Sequence, residues 1–591
     1  MNKSYLLALA LHIGVAGFAQ PTNMLVTSAE VDNILKGTYT ASVYNAAVVI
    51  TDPGVISAGL VNEISPDSLK KTLFALKGFR NRNSGSDTVS SSFGIGAARR
   101  WVYNKFMQYS AANDNRLRPA YLQFDLNMCG ATRHRNIMAV LPGRQVADKS
   151  VILIEAHIDS RCESLCDIGC NAFGIEDNAT GTALVLELAR VLSQYTFNNT
   201  IVFAITTGEE QGTDGALALA TYFRNANISV KAVNNNDVSG GVFCGHTSSA
   251  PGCPFYGNID STALRIFSLG GFNSPHKQWA RYVKLEYQEQ VSNLVSVPTD
   301  IQIMTNEDRT GRGGDHQPFR SKGYTAVRFT AANENGNANI GPGYIDRQHS
   351  LRDSLGIDKD GDGIEDSLYV SVNYLARNAL INGTSMAMAA LSPDTVTLIP
   401  ELITQNRVGI QLSSTSPQPA YRIAVRSLTN DWDTVYTITG KTTDTIAVPY
   451  GSNSTFFISA AAVNNEGVES LFSTEYTITL QNVVLALADT PFVQQHHSPV
   501  YSLKLLQNKP NPFDESTMIT ILSGTDLFYD RAWVSIADLS GRTIKRIKIL
   551  LRKGVNEVSF NHGYGSLHGV YVYTLFIDGL PVQSRKMVLG K

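Results

Sequence analysis

Two histidines and four acidic residues between positions 157 and 349 are of the types that bind and use divalent metal ions. A lone Glu-Glu pair is usually a solvated surface feature and a lone His a structural residue, but here the six residues lie in five distinct short motifs. Two imidazoles and three carboxylates suit two adjacent zinc ions, and the spare Glu could act as a general base. The pattern predicts a two-metal hydrolase. The motifs are Glu-Ala-His157-Ile-Asp159-Ser, Gly-Ile-Glu-Asp177-Asn-Ala-Thr-Gly, Thr-Thr-Gly-Glu209-Glu210-Gln-Gly, Asn-Asn-Asn-Asp237-Val-Ser-Gly and Arg-Gln-His349-Ser-Leu-Arg-Asp353.

Short apolar segments lead directly into two of these motifs. Residues 151–154 are Val-Ile-Leu-Ile and precede His157, and residues 201–205 are Ile-Val-Phe-Ala-Ile and precede the Glu pair. Leucines and a valine at helical spacing lie between them. Because open α/β sheets generally place their sites at the carboxyl ends of strands, we expect the motifs to meet at one sheet edge. The fold class predicted here is α/β, a mixed central sheet flanked by helices.

Length and composition limit the other possibilities. The chain has 591 residues, 43% of them hydrophobic and 17% charged, and a formal net charge of −2. Such a length favours three or four domains. The charge gives no basic surface for nucleic acid, and no reason to expect an anionic membrane partner.

The N-terminus resembles a secretory signal peptide, assigned to residues 1–19. Lys3 is followed by an apolar stretch and by Gly17-Phe-Ala19, which favours cleavage after Ala19. The apolar stretch is shorter than the roughly 20 residues that span a bilayer. No other transmembrane candidate is found in the sequence. Residues 20–65 are interpreted either as a pro-segment or as an N-terminal extension, and Ser65-Pro66 is expected to open a helix.

After about residue 390 the sequence pattern becomes typical of β-strands, which predicts two all-β sandwich domains following the α/β domain. Residues 395–481 contain alternating strands, and their end, Ala-Val-Asn-Asn-Glu-Gly-Val-Glu-Ser at 462–470, resembles fibronectin type III modules. Residues 482–503 are expected to be a linker, and the paired histidines His496 and His497 there to be solvated.

Residues 504–591 carry a series of motifs: Leu-Gln-Asn-Lys-Pro-Asn-Pro-Phe at 506–513, Val-Ser-Ile-Ala-Asp-Leu-Ser-Gly at 534–541 and Gly-Val-Tyr-Val-Tyr at 569–573. In this order they resemble the C-terminal sorting domain of type IX secretion substrates. The resemblance implies export through that secretion machinery, and secretion or attachment at the outer cell surface. The alternative interpretation is a small β-sandwich stalk.

All six cysteines lie within the predicted catalytic stretch. An even number in an exported protein favours disulfides, with 15 pairings open. The spacing of Cys162, Cys166 and Cys170 is not that of a zinc ribbon. Cys244 and Cys253 form the easiest local pair.

Residues 66–390 resemble the secreted di-zinc aminopeptidases of bacteria, a family that includes glutamate carboxypeptidase and glutaminyl cyclase relatives. The resemblance rests on the metal-ligand motifs together with Arg-Asn-Ile-Met-Ala-Val-Leu-Pro-Gly at 135–143 and Gly-Asp-His-Gln-Pro-Phe at 314–319. It implies two Zn²⁺ ions, for which Mn²⁺ or Co²⁺ are possible substitutes.

The same resemblance implies individual roles. His157 and Glu210 would be terminal ligands, Asp237 and His349 would be divided between the two ions, and Asp177 would bridge them. Asp159 would hold the His157 imidazole from behind. Glu209 would be the general base that takes a proton from the attacking water.

Three further residues are candidates for the substrate cleft. Asp315 and His316 are predicted either to contact substrate or to brace their loop. Some relatives have Tyr before the last ligand as an oxyanion stabiliser, whereas this chain has Gln348, whose amide could donate a hydrogen bond instead. The long cysteine-bearing insert between the first two ligands could reshape the mouth of the cleft.

An acidic segment has part of the pattern of a calcium loop. It lacks the bidentate Glu at the twelfth position, where Tyr369 stands, so a structural Ca²⁺ and a plain acidic loop both remain open. Its candidate ligands are Asp358, Asp360, Asp362, Ile364 and Asp366.

These patterns predict an exported di-zinc metallopeptidase that removes N-terminal residues from peptide or protein substrates. Carboxypeptidase activity and N-terminal Gln cyclisation on the same fold are alternatives, although a one-zinc cyclase would not need both His157 and Asp237. A non-catalytic surface binding protein is another alternative, and the full ligand set with Glu209 argues against it.

Overall fold

A computed structural model describes residues 20–590, with gaps, and divides the chain into two compact units after residue 484. Gaps in the description fall at 146–147, 246–256, 272, 310–311, 335–346, 363–364, 405, 452–453, 481–502, 515, 525–531, 539–542, 562–568 and 578–579. The predicted signal peptide, most of the predicted linker with its two histidines, and Ile364 therefore lie outside the described residues.

A mixed sheet, nine-stranded within the described residues, forms the centre of the first unit, in the order β1-β2-β3-β5-β4-β6-β9-β7-β8. Strand β4 pairs in parallel with β5 on one side and β6 on the other, with His157 opposite Thr206. The sheet confirms the predicted fold class. The strands are β1 (Thr22–Val26), β2 (Arg118–Met128), β3 (Ala131–Leu141), β4 (Val151–His157), β5 (Thr200–Thr206), β6 (Val230–Asn236), β7 (Ala263–Phe267), β8 (Asp300–Ile303) and β9 (Ala326–Ala331).

Helices cover both faces of this sheet. The predicted helix at Ser65-Pro66 is confirmed: the Ser65 side chain caps it, proline occupies its first turn, and its leucines are buried. The helix predicted between the first two ligand strands is almost wholly buried. The helices are α1 (Ala29–Leu35), α2 (Pro53–Glu63), α3 (Pro66–Gly78), α4 (Gly94–Ala112), α5 (Thr180–Leu192), α6 (Glu209–Gly212), α7 (Asp214–Asn225), α8 (Pro275–Glu286), α9 (His316–Ser321) and α10 (Val372–Leu391), with short 3₁₀ or π turns at Ala41–Tyr44, Ile175–Ala179 and Tyr287–Val291.

Residues 20–65 are built into this domain. Strand β1 pairs with β2 at the edge of the sheet, and α1 contributes buried Val31, Ile34 and Leu35 to the apolar layer beneath β2 and β3. Ile56 and Leu60 of α2 join the core on the other face. These contacts favour the interpretation of the segment as an extension of the catalytic domain over a pro-segment.

A β-sandwich follows α10 directly. Strands β12-β13-β16 form one antiparallel sheet and β15-β14-β17-β18 the other, with an apolar core between them. The strands predicted around residues 408–412, 421–425 and 456–463 are β13, β14 and β17. A two-stranded hairpin, β10 (Gly356–Ile357) and β11 (Ser367–Leu368), precedes α10; the sandwich strands are β12 (Thr397–Thr404), β13 (Arg407–Ser413), β14 (Ala420–Arg426), β15 (Thr434–Thr439), β16 (Thr443–Ala447), β17 (Thr455–Val463) and β18 (Tyr476–Thr479).

The sandwich is docked on α8 of the α/β domain. Buried Ala424, Ala461, Val468 and Phe472 of the sandwich belong to the same apolar cluster as the residues of α8 and α10. Beside this cluster, Glu475 accepts hydrogen bonds from Arg426 within the sandwich, at 2.8 Å, and from the backbone N–H of Asn273 in the α/β domain, at 2.7 Å. The apolar core of the α/β domain therefore extends into the sandwich, which also has a core of its own.

The second unit is a smaller all-β body with its own apolar core. Its two antiparallel sheets have the orders β19-β20-β23 and β22-β21-β24-β25. Two all-β bodies thus follow the α/β domain, as predicted. In the described part of the chain, no helix combines the length and apolarity needed to cross a membrane. The strands are β19 (Leu503–Leu505), β20 (Ser516–Ser523), β21 (Ala532–Asp538), β22 (Thr543–Lys548), β23 (Gly554–Asn561), β24 (Gly569–Ile577) and β25 (Leu580–Leu589).

Candidate metal centre and catalytic site

Three neighbouring parallel strands deliver four of the six candidate residues. His157 is the last residue of β4, Asp237 directly follows β6, and Glu209 and Glu210 begin α6 just after β5. Since β4 lies between β5 and β6, the three strand ends are adjacent. The side chains meet at the carboxyl edge of the sheet, where such folds place their sites.

Asp177 comes from an irregular turn that other buried side chains fix in place. The Asp353 carboxylate accepts hydrogen bonds from the backbone N–H groups of Glu176, at 2.8 Å, and Asp177, at 3.0 Å. The Asn178 amide donates to Asn236 O at 2.8 Å and accepts from Val238 N–H at 3.2 Å, which ties the turn to the end of β6. The Asp177–Asn178 peptide bond is cis.

His349 approaches from a loop after the sheet and takes a left-handed backbone conformation, with φ of 58°. The guanidinium of Arg161 donates to His349 Nδ1 at 2.7 Å and to Glu210 Oε2 at 3.0 Å. Arg161 thus links the loop after β4 to a ligand on each of two other segments.

Five of the six side chains form two groups that share Asp177. Asp177 Oδ1 lies 3.3 Å from His157 Nε2, and Asp177 Oδ2 lies 3.0 Å from His349 Nε2. The first group also holds Asp237, 3.4 Å from His157 Nε2, and the second holds Glu210, 3.3 Å from His349 Nε2. This is the arrangement that a bridging Asp177 with His157–Asp237 and Glu210–His349 pairs requires.

The donor atoms at this centre fit a pair of cations. Three of them are buried and have no hydrogen-bond partner among the described residues: His157 Nε2, Asp237 Oδ1 and Glu210 Oε1. Leaving such atoms unpaired is costly unless an ion satisfies them. Imidazole nitrogen together with carboxylate oxygen is a typical zinc set. His157, Asp177, Glu210, Asp237 and His349 would hold the ions.

Asp159 has two sets of contacts. Its carboxylate accepts hydrogen bonds from the backbone N–H groups of Glu209, at 3.3 Å, and Glu210, at 3.1 Å. His157 Nδ1 lies 3.2 Å from the Asp159 carbonyl oxygen and 3.5 Å from its Oδ1. The second contact agrees with the predicted support of the imidazole, while the first, which sequence reasoning missed, fixes the Glu pair.

The Glu209 carboxylate lies beside the two ligand groups and is partly exposed to solvent. Its Oε2 lies 3.9 Å from His157 Nε2. The Glu209 side chain is 15% exposed, which is more than the side chains of its neighbours His157, Asp177, Asp237 and Glu210. Burial raises the pKa of the Glu209 carboxyl to about 8, with His157 opposing the rise and Asp237 adding to it. Nearby divalent cations would act in the opposite direction and favour the carboxylate.

The candidate cleft residues are buried behind the site. Asp315 is fully buried, and Thr206 donates a 2.6 Å hydrogen bond to it. His316 is also fully buried, with Nε2 3.2 Å from Glu307 O. Both sets of contacts favour the bracing interpretation over substrate contact. Gln348 is likewise buried: its Oε1 accepts from Arg312 at 3.0 Å, and its Nε2 lies 3.4 Å from Glu334 Oε1.

Disulfides anchor the insert that follows β4. Cys162 is bonded to Cys170 within the insert, and Cys129 to Cys166, which attaches the insert to the turn between β2 and β3. Cys244 is also disulfide-bonded, whereas Cys253 lies outside the described residues. Disulfides of this kind are typical of extracellular proteins.

The acidic segment between β10 and β11 is an exposed hairpin loop. Carboxylate oxygens of Asp358, Asp360 and Asp366 lie within 4.8 Å of one another, and all three residues are exposed. Backbone N–H groups already donate to the loop: Gly361 to Asp358 at 2.7 Å and Lys359 to Asp366 at 2.7 Å. Both interpretations of this loop stay predictions.

Two buried arginines that sequence reasoning missed hold the ligand-bearing segments in place. Arg82 is fully buried and donates to Ile158 O at 2.8 Å and to Gly174 O at 2.9 Å, which joins the loops that carry the first two ligands. Arg328 donates to Asp237 Oδ2 at 3.0 Å. Burial opposes ionisation of Asp237, but Arg328 keeps the pKa of this carboxyl well below its ordinary value. Nothing in the local sequence of either arginine signals this role.

We predict that Asp177→Asn will lower the affinity for both metal ions, because one residue contributes an oxygen to each group. Asp237→Asn should weaken only one of them. Metal analysis after dialysis against fixed free zinc measures the ions that remain per chain. Two retained ions in Asp177→Asn would contradict the bridging role.

Comparisons with known proteins agree with this chemistry. Residues 136–361 match the model of peptidase family M28. Over 425 residues the chain is 29% identical to a protein of the fungus Leptosphaeria maculans named "Probable zinc metalloprotease", covering 69% of this chain and 94% of that one. A protein of Pyrenophora tritici-repentis with the same description is 32% identical over 290 residues, 46% of this chain and 65% of that one. These sequence relatives are fungal, whereas the resemblance drawn from motifs was to bacterial enzymes.

Solved structures with a similar chain trace include two kinds of enzyme. The LapA aminopeptidase of Legionella pneumophila is 18% identical, with a TM-score of 0.41 over 59% of this chain and 78% of that one. A glutaminyl cyclase of Fimbriiglobus ruber is 16% identical, with a TM-score of 0.37 over 55% of this chain and 95% of that one. At these scores neither likeness decides between the two activities.

Proposed function

We propose that this chain is an exported di-zinc aminopeptidase. Its residues 136–361 match the model of peptidase family M28, and its relatives are named probable zinc metalloproteases. The observation that carries the proposal is the pair of ligand groups sharing Asp177, with the Glu209 carboxylate beside them, 3.9 Å from His157 Nε2. A metal pair with a separate carboxylate base is suited to amide hydrolysis.

The cavity over these groups has the size of a short peptide segment. Its volume is about 320 Å³, near the lower end for small-molecule sites. Glu209, Asp177 and His349 line it together with the loop after α6. A space of this volume can hold the terminal residues of a peptide, as an exopeptidase requires.

The residues of the chain divide the work of hydrolysis. When bound, the two zinc ions polarise the scissile carbonyl and make the attacking water more acidic. Glu209 takes the proton of that water and passes it to the leaving amine. Asp159 holds the Glu209 backbone, and Asp353 holds the turn of Asp177, so that base and ligands keep their spacing.

A peptide library tests the activity. Zinc-loaded protein is incubated with mixed peptides, half of them N-acetylated, and the products are read by mass spectrometry. We expect stepwise loss of residues from free N-termini only. Cutting of blocked peptides would replace the proposal with a carboxypeptidase or endopeptidase. A 17 Da loss from N-terminal Gln peptides without cleavage would indicate a cyclase, and no reaction at all would indicate a binding protein.

We further propose that residues 504–591 are a type IX sorting domain that directs export. The compact second unit beginning at Leu485, and the sequence motifs within it, support this. The preceding sandwich, proposed to be of fibronectin type III kind, is supported by its seven described strands in two sheets. Because it packs on α8, we assign it a structural part in the catalytic unit.

We predict that deletion of residues 504–591 will trap the protein in the periplasm, since the export signal would be lost while the catalytic unit remains whole. Cell fractionation followed by immunoblotting measures its location. The matched control is deletion of residues 1–19, which should hold the protein in the cytoplasm. Secretion of the variant that lacks residues 504–591 would contradict the proposal.

A further inference from the structure

Three arginines line the same cavity as the metal-type carboxylates: Arg161, Arg309 and Arg312. Such a concentration of guanidinium groups is unexpected where a peptide with a free ammonium end is to be bound. What each guanidinium already contacts decides whether it is available to a substrate.

Two of the three are already neutralised. Arg161 is paired with Glu210 at 3.0 Å and donates to His349. Arg309 is buried and paired with Asp308 at 3.0 Å and with Glu334. Their charges are balanced within the protein.

Arg312 is not balanced in this way. It is half-buried, and its one side-chain partner among the described residues is the neutral amide of Gln348, whose Oε1 it meets at 3.0 Å. Within the described part of the chain no carboxylate forms an ion pair with it. Burial, and next the neighbouring Arg309, lower the pKa of Arg312, while Glu334 and Asp177, neither of them within ion-pairing distance, raise it.

Gln348 fixes the direction of this guanidinium. The amide is buried and lies with its other end 3.4 Å from Glu334 Oε1, so that both ends of the side chain are in contact. A backbone hydrogen bond of 3.1 Å from Arg312 N–H to Arg309 O closes the turn beneath it. Arg312 is therefore held against the cavity, with donors left for a ligand.

The charges of the cavity point in the same direction. Its carboxylates, on Asp177, Glu209, Glu210 and Asp237, are those assigned to the metal ions and the base. Two divalent ions would offset four such charges, so that no carboxylate among these four is left over to pair with the Arg312 guanidinium. A planar guanidinium is best satisfied by a carboxylate in a two-pronged contact.

We propose that Arg312 binds a carboxylate of the peptide substrate close to the scissile amide, with Gln348 as its positioning residue. This rests on the proposed peptidase function and narrows its substrates to peptides with an anionic group within about one residue of the cut. The carboxylate has two sources: the C-terminus of a very short peptide, or an acidic side chain.

Four matched substrates separate the sources: Ala-Leu, its C-terminal amide, Glu-Leu amide and Gln-Leu amide. They are compared in the unmodified protein, in Arg312→Gln, in Arg312→Lys and in the control Arg320→Gln, whose arginine is on α9 and outside the cavity residues. We expect Arg312→Gln to lose about 10- to 100-fold in kcat/KM, mostly through KM, on the carboxylate-bearing member of one pair only. Arg312→Lys should recover part of that loss, and Arg320→Gln should behave as the unmodified protein.

The pair that responds identifies the source of the carboxylate. An equal loss on all four substrates, carried by kcat, would overturn the proposal in favour of an oxyanion or structural role. No loss on any of them would also overturn it.

Equilibrium binding separates this proposal from the peptidase function itself. Titration calorimetry of Ala-Leu and its amide, and of the Glu and Gln amides, is done in a Glu209→Gln background with and without Arg312→Gln. A preference for the carboxylate member that disappears with Arg312 supports the site even if no peptide is cleaved. Equal binding of both members overturns it even if hydrolysis proceeds.

Discussion

Glu209→Gln is expected to keep both metal ions and to lose about 10²- to 10⁴-fold in kcat. The substitution preserves the size of the side chain and removes its capacity to take a proton. Asp237 and Asp177 keep their supports in Arg328 and Asp353, and the His157 imidazole keeps its contact with Asp159. KM should change little, because the neutral amide still fills the same place in the cavity.

The measurement combines metal analysis with steady-state kinetics on the best peptide from the library. Glu163→Gln is the matched control, since it makes the same chemical change on the exposed part of the disulfide-anchored insert. It should leave kcat unaltered. Full activity in Glu209→Gln would remove Glu209 from the mechanism, and loss of metal would make it a ligand.

Glu475→Gln is expected to destabilise the first unit by about 3–5 kcal/mol, since it removes one partner from a buried charge network. Besides Arg426 and Asn273, the Glu475 carboxylate lies 3.4 Å from Arg281 of α8, and its side chain is 1% exposed. The amide would leave two buried guanidinium groups without a counter-charge. The damage should reach the α/β domain, because Arg281 and Asn273 belong to it.

Thermal unfolding of the zinc-saturated protein, together with the rate of limited proteolysis, measures the effect. Glu466→Gln is the control: Glu466 is in the same sandwich and faces Arg144 of the α/β domain at 3.6 Å, but both side chains are more than a third exposed. An exposed pair of this kind is worth about 0–1 kcal/mol. Equal shifts in the two variants would show that the buried network contributes nothing particular.

Part of the ligand set was predictable because those residues stand at the ends of recognisable elements. His157 follows one short apolar run, and Glu209 and Glu210 follow another. The hydrophobic pattern of the sequence therefore predicts that these residues lie at strand ends. The motif resemblance extended the set to Asp177 and His349, which arise from irregular turns that no periodicity marks. Their placement in the structure agrees with the prediction, while their roles stay to be tested.

The supports of the site were not predictable, for a physical reason. Arg82 lies about 75 positions before His157 and acts through carbonyl oxygens, which carry no sequence signal. Asp353 acts through two backbone N–H groups, and its contact depends on a loop path that local preferences do not fix. The cis peptide bond between Asp177 and Asn178 was not predictable either, because cis bonds are almost confined to proline and no proline follows here.

Gln348 was recognised as a departure from the family pattern, but the sequence did not predict its contacts. Its position suggested a hydrogen-bond donor in the cleft, yet both ends of the amide are engaged behind the cavity wall. The partner, Arg312, is 36 positions away, and only the fold brings the two together.

The shared core between the α/β domain and the first sandwich also limits how such a gene can be rearranged. A recombination event that joined the chain after α10 to an unrelated module would leave the apolar surface around Trp279 and Tyr282 without Phe472 and Val468 to cover it. Descendants should therefore inherit the two parts together, and exchange whole modules only beyond the sandwich.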